Sequence, residues 1–361
     1  MGRRVFAAMS GGVDSSVAAL LLREQGFDVA GVHLRLLHNA DLGEGRESGC
    51  CSLSDAEDAR DTAYRLGMKF YVFDFAAPFR EQVARRFAEG YARGETPNPC
   101  MDCNRFIKWG ALLRRAEALG VDAVATGHYA RIERDASSGR WKLLRGADRE
   151  KDQSYFLSRL TQRQLAHTLL PLGDLTKPEV RRLAEHAGLS TAHKQDSQDL
   201  CFAPDGDYAA FCQRLTGEVS ESGNIIDESG NIIGRHRGLI RYTLGQHRHL
   251  GISSQTPLYV CGRNPADNTL TVGPEESLYS RRLIAGDVNW ISTAEPSAPR
   301  RAEVQTRYRQ TPCPATVTPL PDGKILVEFD VPQRAVTPGQ TAALYDGGAV
   351  LGAGTIAAIF R

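Results

Sequence analysis

Ala7-Ala8-Met9-Ser10-Gly11-Gly12-Val13-Asp14-Ser15-Ser16 closes a short apolar run over residues 3–9 and opens a helix predicted over 15–25. The stretch reads as a strand–loop–helix turn. Two glycines let the backbone bend tightly and bring N–H groups close to an anion. Ser10, Ser15 and Ser16 add hydroxyl donors, and the helix behind them presents the positive end of its dipole. The arrangement suits a phosphate group. It is not the common phosphate loop, which needs a lysine directly after its glycines; none follows here. Nor are the glycines spaced as Gly-x-Gly-x-x-Gly, which argues against a dinucleotide site. A plain glycine turn is the competing reading. Serines on both sides of the pair, with Asp14 inside, weigh against it.

The 361 residues allow two or three domains, each with its own core. A hydrophobic share of 42% and a charged share of 24% are those of a globular protein. The net charge of +1 advertises no global attraction to nucleic acid, so any basic surface has to be local. No signal-peptide pattern heads the sequence, and no apolar stretch approaches the roughly 20 residues of a membrane span. A cytoplasmic chain with no membrane partner is expected.

Strands over 3–9, 28–36, 68–74 and 123–127 alternate with helices over 15–25, 54–66, 78–93 and 105–119. That alternation predicts an α/β fold: a parallel sheet covered on both faces, with ligands at the carboxyl ends of its strands. Ser54 and Glu57 read as a capping box for the second helix, and Thr176 and Glu179 as another, ahead of a helix to about residue 187. Gly-Asn-Ile-Ile occurs at 223–226 and again at 230–233, which predicts a hairpin. After residue 279, short β-branched runs between Pro, Gly and Asp predict a small antiparallel barrel or sandwich. The expected order is a catalytic α/β domain over 1–205, a small middle module over 206–280 and a C-terminal antiparallel β-barrel over 281–361.

Eight cysteines are too sparse for a disulfide scaffold; they suit small buried hydrophobes, with any exceptions in metal or catalytic chemistry. Thr96-Pro97-Asn98-Pro99-Cys100-Met101-Asp102-Cys103-Asn104 puts two prolines ahead of a helix, with Cys103 at or near its N-terminus. There the dipole and free N–H groups favour a thiolate. Cys-x-x-Cys also suits metal or Fe–S ligation, but one pair is an incomplete site. Lys194-Gln195-Asp196-Ser197-Gln198-Asp199-Leu200-Cys201-Phe202 is an acid-rich run ending in one cysteine, and alone it fits a surface segment equally well. Between 235 and 248 there is no acidic residue, whereas Arg235, Arg237, Arg241 and Arg248 occur with His236, His247 and Tyr242. This is either a solvated basic face or a place where phosphates are neutralised and a base is stacked.

Taken in order, Ser-Gly-Gly-Val-Asp-Ser-Ser, Thr-Pro-Asn-Pro-Cys-x-x-Cys-Asn and Asp-Ser-Gln-Asp-x-Cys-Phe closely resemble the tRNA-specific 2-thiouridylase family of ATP pyrophosphatases. Gly127-His128-Tyr129-Ala130, Lys151-Asp152-Gln153-Ser154-Tyr155-Phe156-Leu157 and Tyr242-Thr243-Leu244-Gly245-Gln246 extend the resemblance. Gly286-Asp287-Val288-Asn289-Trp290 and Arg307-Tyr308 carry it into the last domain. One stretch departs: Gly245-Gln246-His247-Arg248-His249-Leu250-Gly251 stands where the family usually has Gly-Gln-Arg-x-Gly-Leu-Gly.

The resemblance implies an adenine-nucleotide α-hydrolase-like (PP-loop) domain in an ATP-dependent tRNA-uridine 2-sulfurtransferase that releases AMP and pyrophosphate. By that likeness Ala8, Met9, Ser10, Gly11, Gly12, Val13, Asp14 and Ser15 cradle ATP with its Mg²⁺. Leu34 packs against the adenine, and Gly127 approaches the nucleotide through its backbone. Asn98, Pro99 and Cys100 line the pocket for a flipped-out uracil. Cys201 carries a persulfide received from a sulfur-donor protein, and Cys103 is its partner nucleophile, closing a transient disulfide. His128, Lys151, Asp152, Gln153, Arg307, Tyr308 and Gln340 touch tRNA.

Family members carry either Asp or Cys at the position of Cys100. Here Cys100, Cys103 and Cys201 make three thiolates, enough for an Fe–S cluster with one open iron, so cluster-bound sulfide stands beside the persulfide as a second route. Two readings from other classes remain. One is an ATP pyrophosphatase of the GMP- or NAD-synthetase type, adenylating a small molecule; the other is a non-catalytic nucleotide-sensing RNA-binding protein.

Overall fold

A computed structural model describes residues 2–38, 53–195, 200–203, 206–217 and 219–360. Cys50, Cys51 and the acidic pair Asp196 and Asp199 lie outside the described residues. The chain forms two compact units. One comprises Met1–Val83, Cys100–Phe211 and Gly348–Val350; the other comprises Ala84–Pro99, Cys212–Gly347 and Leu351–Arg361.

The first unit holds the parallel sheet. Its strands are β1 (Arg4–Ala8), β2 (Asp28–Arg35), β3 (Lys69–Asp74), β4 (Ala123–Ala125) and, beyond a hairpin of β5 (Ala130–Arg134) and β6 (Trp141–Arg145), β7 (Thr168–Leu169). They lie in the order β3-β2-β1-β4-β7, all parallel. Parallel strands covered on both faces are apolar throughout, and Val5, Phe6 and Ala7 of β1 and all of β4 are buried. The chain leaves β1 towards β2 on one side, and β4 flanks β1 on the other. The carboxyl end of β1 is thus the topological switch point, where a crevice forms.

Helix α1 (Val13–Glu24) is buried on two sides. Ala19 and Leu22 meet the sheet together with Ala59 and Ala63 of α2 (Leu53–Arg65). Val13, Val17 and Ala18 pack with Val180 and Ala184 of α3 (Lys177–His186). The Thr176–Glu179 box forms: Glu179 Oε2 accepts from the Thr176 N–H and hydroxyl, at 2.7 Å each. The helix expected to open at Ser54 already includes Leu53.

A second correction concerns the helix expected from residue 105. It starts at Pro99 and runs through Pro99–Asp102, a π-wound Cys103–Leu112 and Leu113–Ala118. Proline suits a first helical position because its missing N–H would have had no partner there. The wide π turn loosens the carbonyl ladder, and Gln164 Nε2 donates to two of the carbonyls, Arg105 O at 3.1 Å and Trp109 O at 2.8 Å.

In the second unit, β8 (Gly223–Ile226) and β9 (Ile232–His236) make the hairpin read from the repeated Gly-Asn-Ile-Ile. With β10 (Tyr259–Asn264) and β11 (Thr269–Gly273) they form a sheet in the order β10-β11-β8-β9 over a core that includes Ile225, Tyr242 and Leu270. The last module is a closed barrel, not a sandwich. Its strands are β12 (Tyr279–Trp290), β13 (Arg300–Gln305), β14 (Cys313–Leu320), β15 (Lys324–Arg334), β16 (Thr341–Asp346) and β17 (Ala349–Phe360). They follow the order β12-β15-β14-β13-β16-β17, and β17 pairs back onto β12. Register shifts in β12 at Ser280/Arg282 and Gly286/Asn289 supply the local bending that closure needs.

Candidate nucleotide and thiol site

The Ser10–Ser15 loop is locked by its own hydroxyls. Ser15 Oγ donates to Gly12 O at 3.0 Å and accepts from Ser10 N at 3.2 Å; Ser16 Oγ also donates to Gly12 O. Ser16 is fully buried, so it belongs to the support and not to the cradle. Gly11 has φ +76°, and a Cβ there would stand 2.3 Å from Asp55 O, so the turn admits only glycine. Val13 points into the core against α3. Behind the loop, His33 Nδ1 donates to Met9 O at 3.0 Å from a fully packed position on β2.

Asp14 does not face the crevice as a lone charge. Lys177 Nζ lies 2.7 and 2.8 Å from its two oxygens, and the Tyr129 hydroxyl donates to Oδ1 at 2.7 Å. Strand β4 stops at Ala125, two residues earlier than expected. Gly127 then passes so close to α1 that a Cβ would lie 2.6–2.8 Å from the backbone of Asp14 and Ser15.

These contacts shape a cavity of about 220 Å³ at the carboxyl ends of β1, β2 and β4. Ala8, Met9, Ser10, Asp14 and Ser15 form one wall, His33, Leu34 and Leu36 a second, and Thr126, Gly127 and His128 a third, with Lys108 and Gln153 at the side. Of the residues expected around ATP, Ala8, Met9, Ser10, Asp14, Ser15, Leu34 and Gly127 meet here. Gly11, Gly12 and Val13 build the turn instead. Apolar Leu34 and Leu36 beside a ring of N–H and hydroxyl donors suit a flat base joined to a phosphate.

His128 lies in the same cavity wall. Its Nδ1 is 2.7 Å from Thr126 Oγ1, and its ring sits 5.7 Å from that of Trp109. Burial, together with the charge of Lys108, holds it well below the usual 6.5, so it is neutral. Gln153 accepts from Tyr129 N at 3.1 Å, and Asp152 accepts from Gly146 N, Ser154 N and the Ser154 hydroxyl. The Asp152 carboxylate therefore fastens a turn.

Cys100 occupies the first helical turn and is exposed; Cys103 falls one turn later and is half-buried. The dipole acts within the first turn, so its pull on a thiol falls on Cys100 more than on Cys103, contrary to the expectation from sequence. Cys201 is half-buried in a tight turn in which Ala203 N donates to Leu200 O at 2.9 Å. Phe202 anchors that turn, its ring 6.1 Å from Phe79 and 4.6 Å from Phe211. Upstream, Lys194 is ion-paired with Asp55 and Asp58 of α2; burial opposes its charge, but the two carboxylates prevail and raise it. Among the described residues no three His, Cys, Asp or Glu side chains converge as a metal site, so Cys100, Cys103 and Cys201 are not gathered as cluster ligands.

In the second unit, the segment leading to Asn98 is gripped. Arg263 donates to Gly94 O at 2.8 Å and Thr96 Oγ1 at 2.7 Å, and Gln340 Nε2 donates to Thr96 O at 2.5 Å. Thr96 N in turn donates to Pro338 O at 2.9 Å. Arg307 is exposed at the turn after β13, beside a half-buried Tyr308. The aromatic half of the basic stretch is corrected: His236 and Tyr242 are buried, His236 Nε2 donating to Asn268 O at 3.0 Å. Nothing local in the sequence marks Lys108, Lys177 or His33 for the site, and Tyr129 stands there only as part of the family-like stretch Gly127-His128-Tyr129-Ala130.

The family described as tRNA methyl transferase HUP domain matches residues 3–205. Those described as tRNA methyl transferase PRC-barrel domain and aminomethyltransferase beta-barrel domain match 210–274 and 280–356. A tRNA-specific 2-thiouridylase of Heliobacterium modesticaldum is 49% identical over 99% of this chain and 93% of its own length. That of Chloroflexus aggregans is 50% identical over 98% of each chain, and that of Clostridioides difficile 46% over 99% and 98%. With a domain match over more than half its length and relatives this similar over nearly all of it, the chain belongs to the tRNA-specific 2-thiouridylase family.

Proposed function

We propose that the protein replaces the 2-oxygen of a tRNA wobble uridine with sulfur, using ATP. The observation that carries the reading is the cavity at the switch point of the sheet, with the serine–glycine loop and Gly127 on its walls, in a chain of this family. The thiol-bearing stretches favour the activity in the relatives' name over the methyl transfer in the domain descriptions.

A urea-type carbonyl oxygen leaves poorly, so it is first activated. The uridine 2-oxygen attacks the α-phosphate of ATP, the α–β bridge breaks, and pyrophosphate departs. Ser10, Ser15 and the N–H groups at the start of α1 hold the phosphates while charge develops. Leu34 packs on the base. Bound with the triphosphate, Mg²⁺ would offset its charge.

The terminal sulfur of a Cys201 persulfide then attacks C2, and AMP leaves with the oxygen. Cys103 attacks Cys201 Sγ, the persulfide bond breaks, and thiolated uridine is released with a Cys103–Cys201 disulfide for an external thiol to reduce. Sulfur comes from a donor protein. Asn98, Pro99 and Cys100 receive the flipped base, and Lys151, Arg307 and Tyr308 are the proposed tRNA contacts together with His128, Asp152 and Gln153; Gln340, expected among them, instead supports the loop ahead of Asn98. The division into 1–205, 206–280 and 281–361, and a cytoplasmic setting, belong to the same reading.

The test is incubation with ATP, Mg²⁺, a sulfur source and unmodified tRNA. The expected products are 2-thiouridine, AMP and pyrophosphate. Full turnover by a Cys201→Ala enzyme would favour adenylation of a small molecule, and ATP binding without AMP release a sensor. Iron and sulfide bound in anaerobically purified, active protein would favour the cluster route.

A further inference from the structure

We propose that Lys108 is the cation that holds the α-phosphate of the nucleotide, supplying from the cysteine helix the charge that the Ser10–Ser15 loop lacks. This deepens the nucleotide reading above and rests on it.

Three observations meet at this residue. The phosphate loop has no lysine of its own, and its carboxylate, Asp14, is already matched by Lys177. Lys108 lines the same cavity as Ser10 and Ser15, and among the described residues that line it Asp14 is the one carboxylate. Its field reaches His128 on the adjoining wall, where an imidazole held neutral leaves the ammonium as the positive group on that side.

The helix carrying Lys108 explains why the α-phosphate is the one bound. Cys103–Leu112 is π-wound, with backbone hydrogen bonds that span five residues, so Lys108 follows Cys103 about one turn along the same helix. The α-phosphate is the group that joins the base and departs when sulfur arrives. A cation one turn from the thiol therefore meets that phosphate in ATP, in the adenylate and in AMP. Pyrophosphate leaves without it.

The experiment compares AMP with adenosine by calorimetric titration of the full chain. Wild-type protein is expected to prefer AMP. Lys108→Met should lose about tenfold or more of that preference, the size of one charge-assisted hydrogen bond, with adenosine affinity unchanged and part of the margin restored in Lys108→Arg. An unchanged margin in Lys108→Met overturns the proposal alone. A wild-type protein indifferent to the phosphate overturns it along with the reading beneath it. A His128 imidazole titration by NMR checks the placement in the folded variant: loss of the Lys108 charge should raise the His128 pKa, and an unmoved value counts against the geometry.

Discussion

Lys177 Nζ grips both carboxylate oxygens of Asp14, at 2.7 and 2.8 Å, although the two residues stand 163 positions apart. The lysine side chain is 10% exposed and the aspartate 32%, so the pair sits at the edge of the interior. Removing the ammonium leaves a carboxylate with Tyr129 and little water. Lys177→Met is expected to cost about 1–3 kcal/mol, less than a fully buried pair because Asp14 is partly solvated. Urea unfolding measures it. In a double-mutant cycle, Asp14→Asn should recover part of the loss, and strict additivity would show that the two groups are not coupled.

Gly127 offers a steric test of the same cradle. Its position against the Asp14 and Ser15 backbone leaves no room for a methyl group, and backbone cannot rotate away as a side chain does. Gly127→Ala should push β4 from the start of α1, costing about 1–3 kcal/mol. ATP affinity should fall by about tenfold or more, whereas Gly348→Ala, where nothing lies within 4 Å and the backbone is not left-handed, keeps wild-type ATP affinity.

What the sequence discloses is local. The glycine–serine spacing shows the phosphate loop because the hydroxyl hydrogen bonds that close it fall within a few residues. The alternation of strand and helix shows the sheet for the same reason. Lys177 could be read only as part of a helix cap, since its partner lies on another helix. Thr96–Pro99 reads from sequence as loop, and the helix starts earlier than that reading expects because proline fits both a loop and a first helical position. Tyr242 and His236 sat among arginines and suggested an RNA face; the fold spends them on the core of the middle module.

His128 gives the chain a pH signature. Burial and Lys108 depress its pKa in the folded protein below the ordinary 6.5, so only the unfolded chain takes up a proton as the pH falls through that value. The unfolded state then binds more protons, and stability falls with decreasing pH below about 6.5, staying level above it. His128→Gln should flatten the difference in unfolding free energy between pH 5.5 and 7.5. A variant with the wild-type slope would mean that the imidazole is charged in the folded state.

Arg307 and Gln340 separate contact with tRNA from support of the cysteine loop. Arg307 is exposed, and its guanidinium is suited to a phosphate, so Arg307→Ala should weaken tRNA binding and reduce the slope of affinity against salt by about one unit, with ATP binding intact. Gln340 is engaged within the protein, its amide on Thr96 O. Gln340→Ala should therefore speed hydrogen exchange around residues 94–97 before any tRNA is added, and leave the salt slope as it was. If exchange there is unchanged while tRNA affinity drops, Gln340 contacts the RNA directly and the clasp on the loop is held by Arg263 and Pro338 without it.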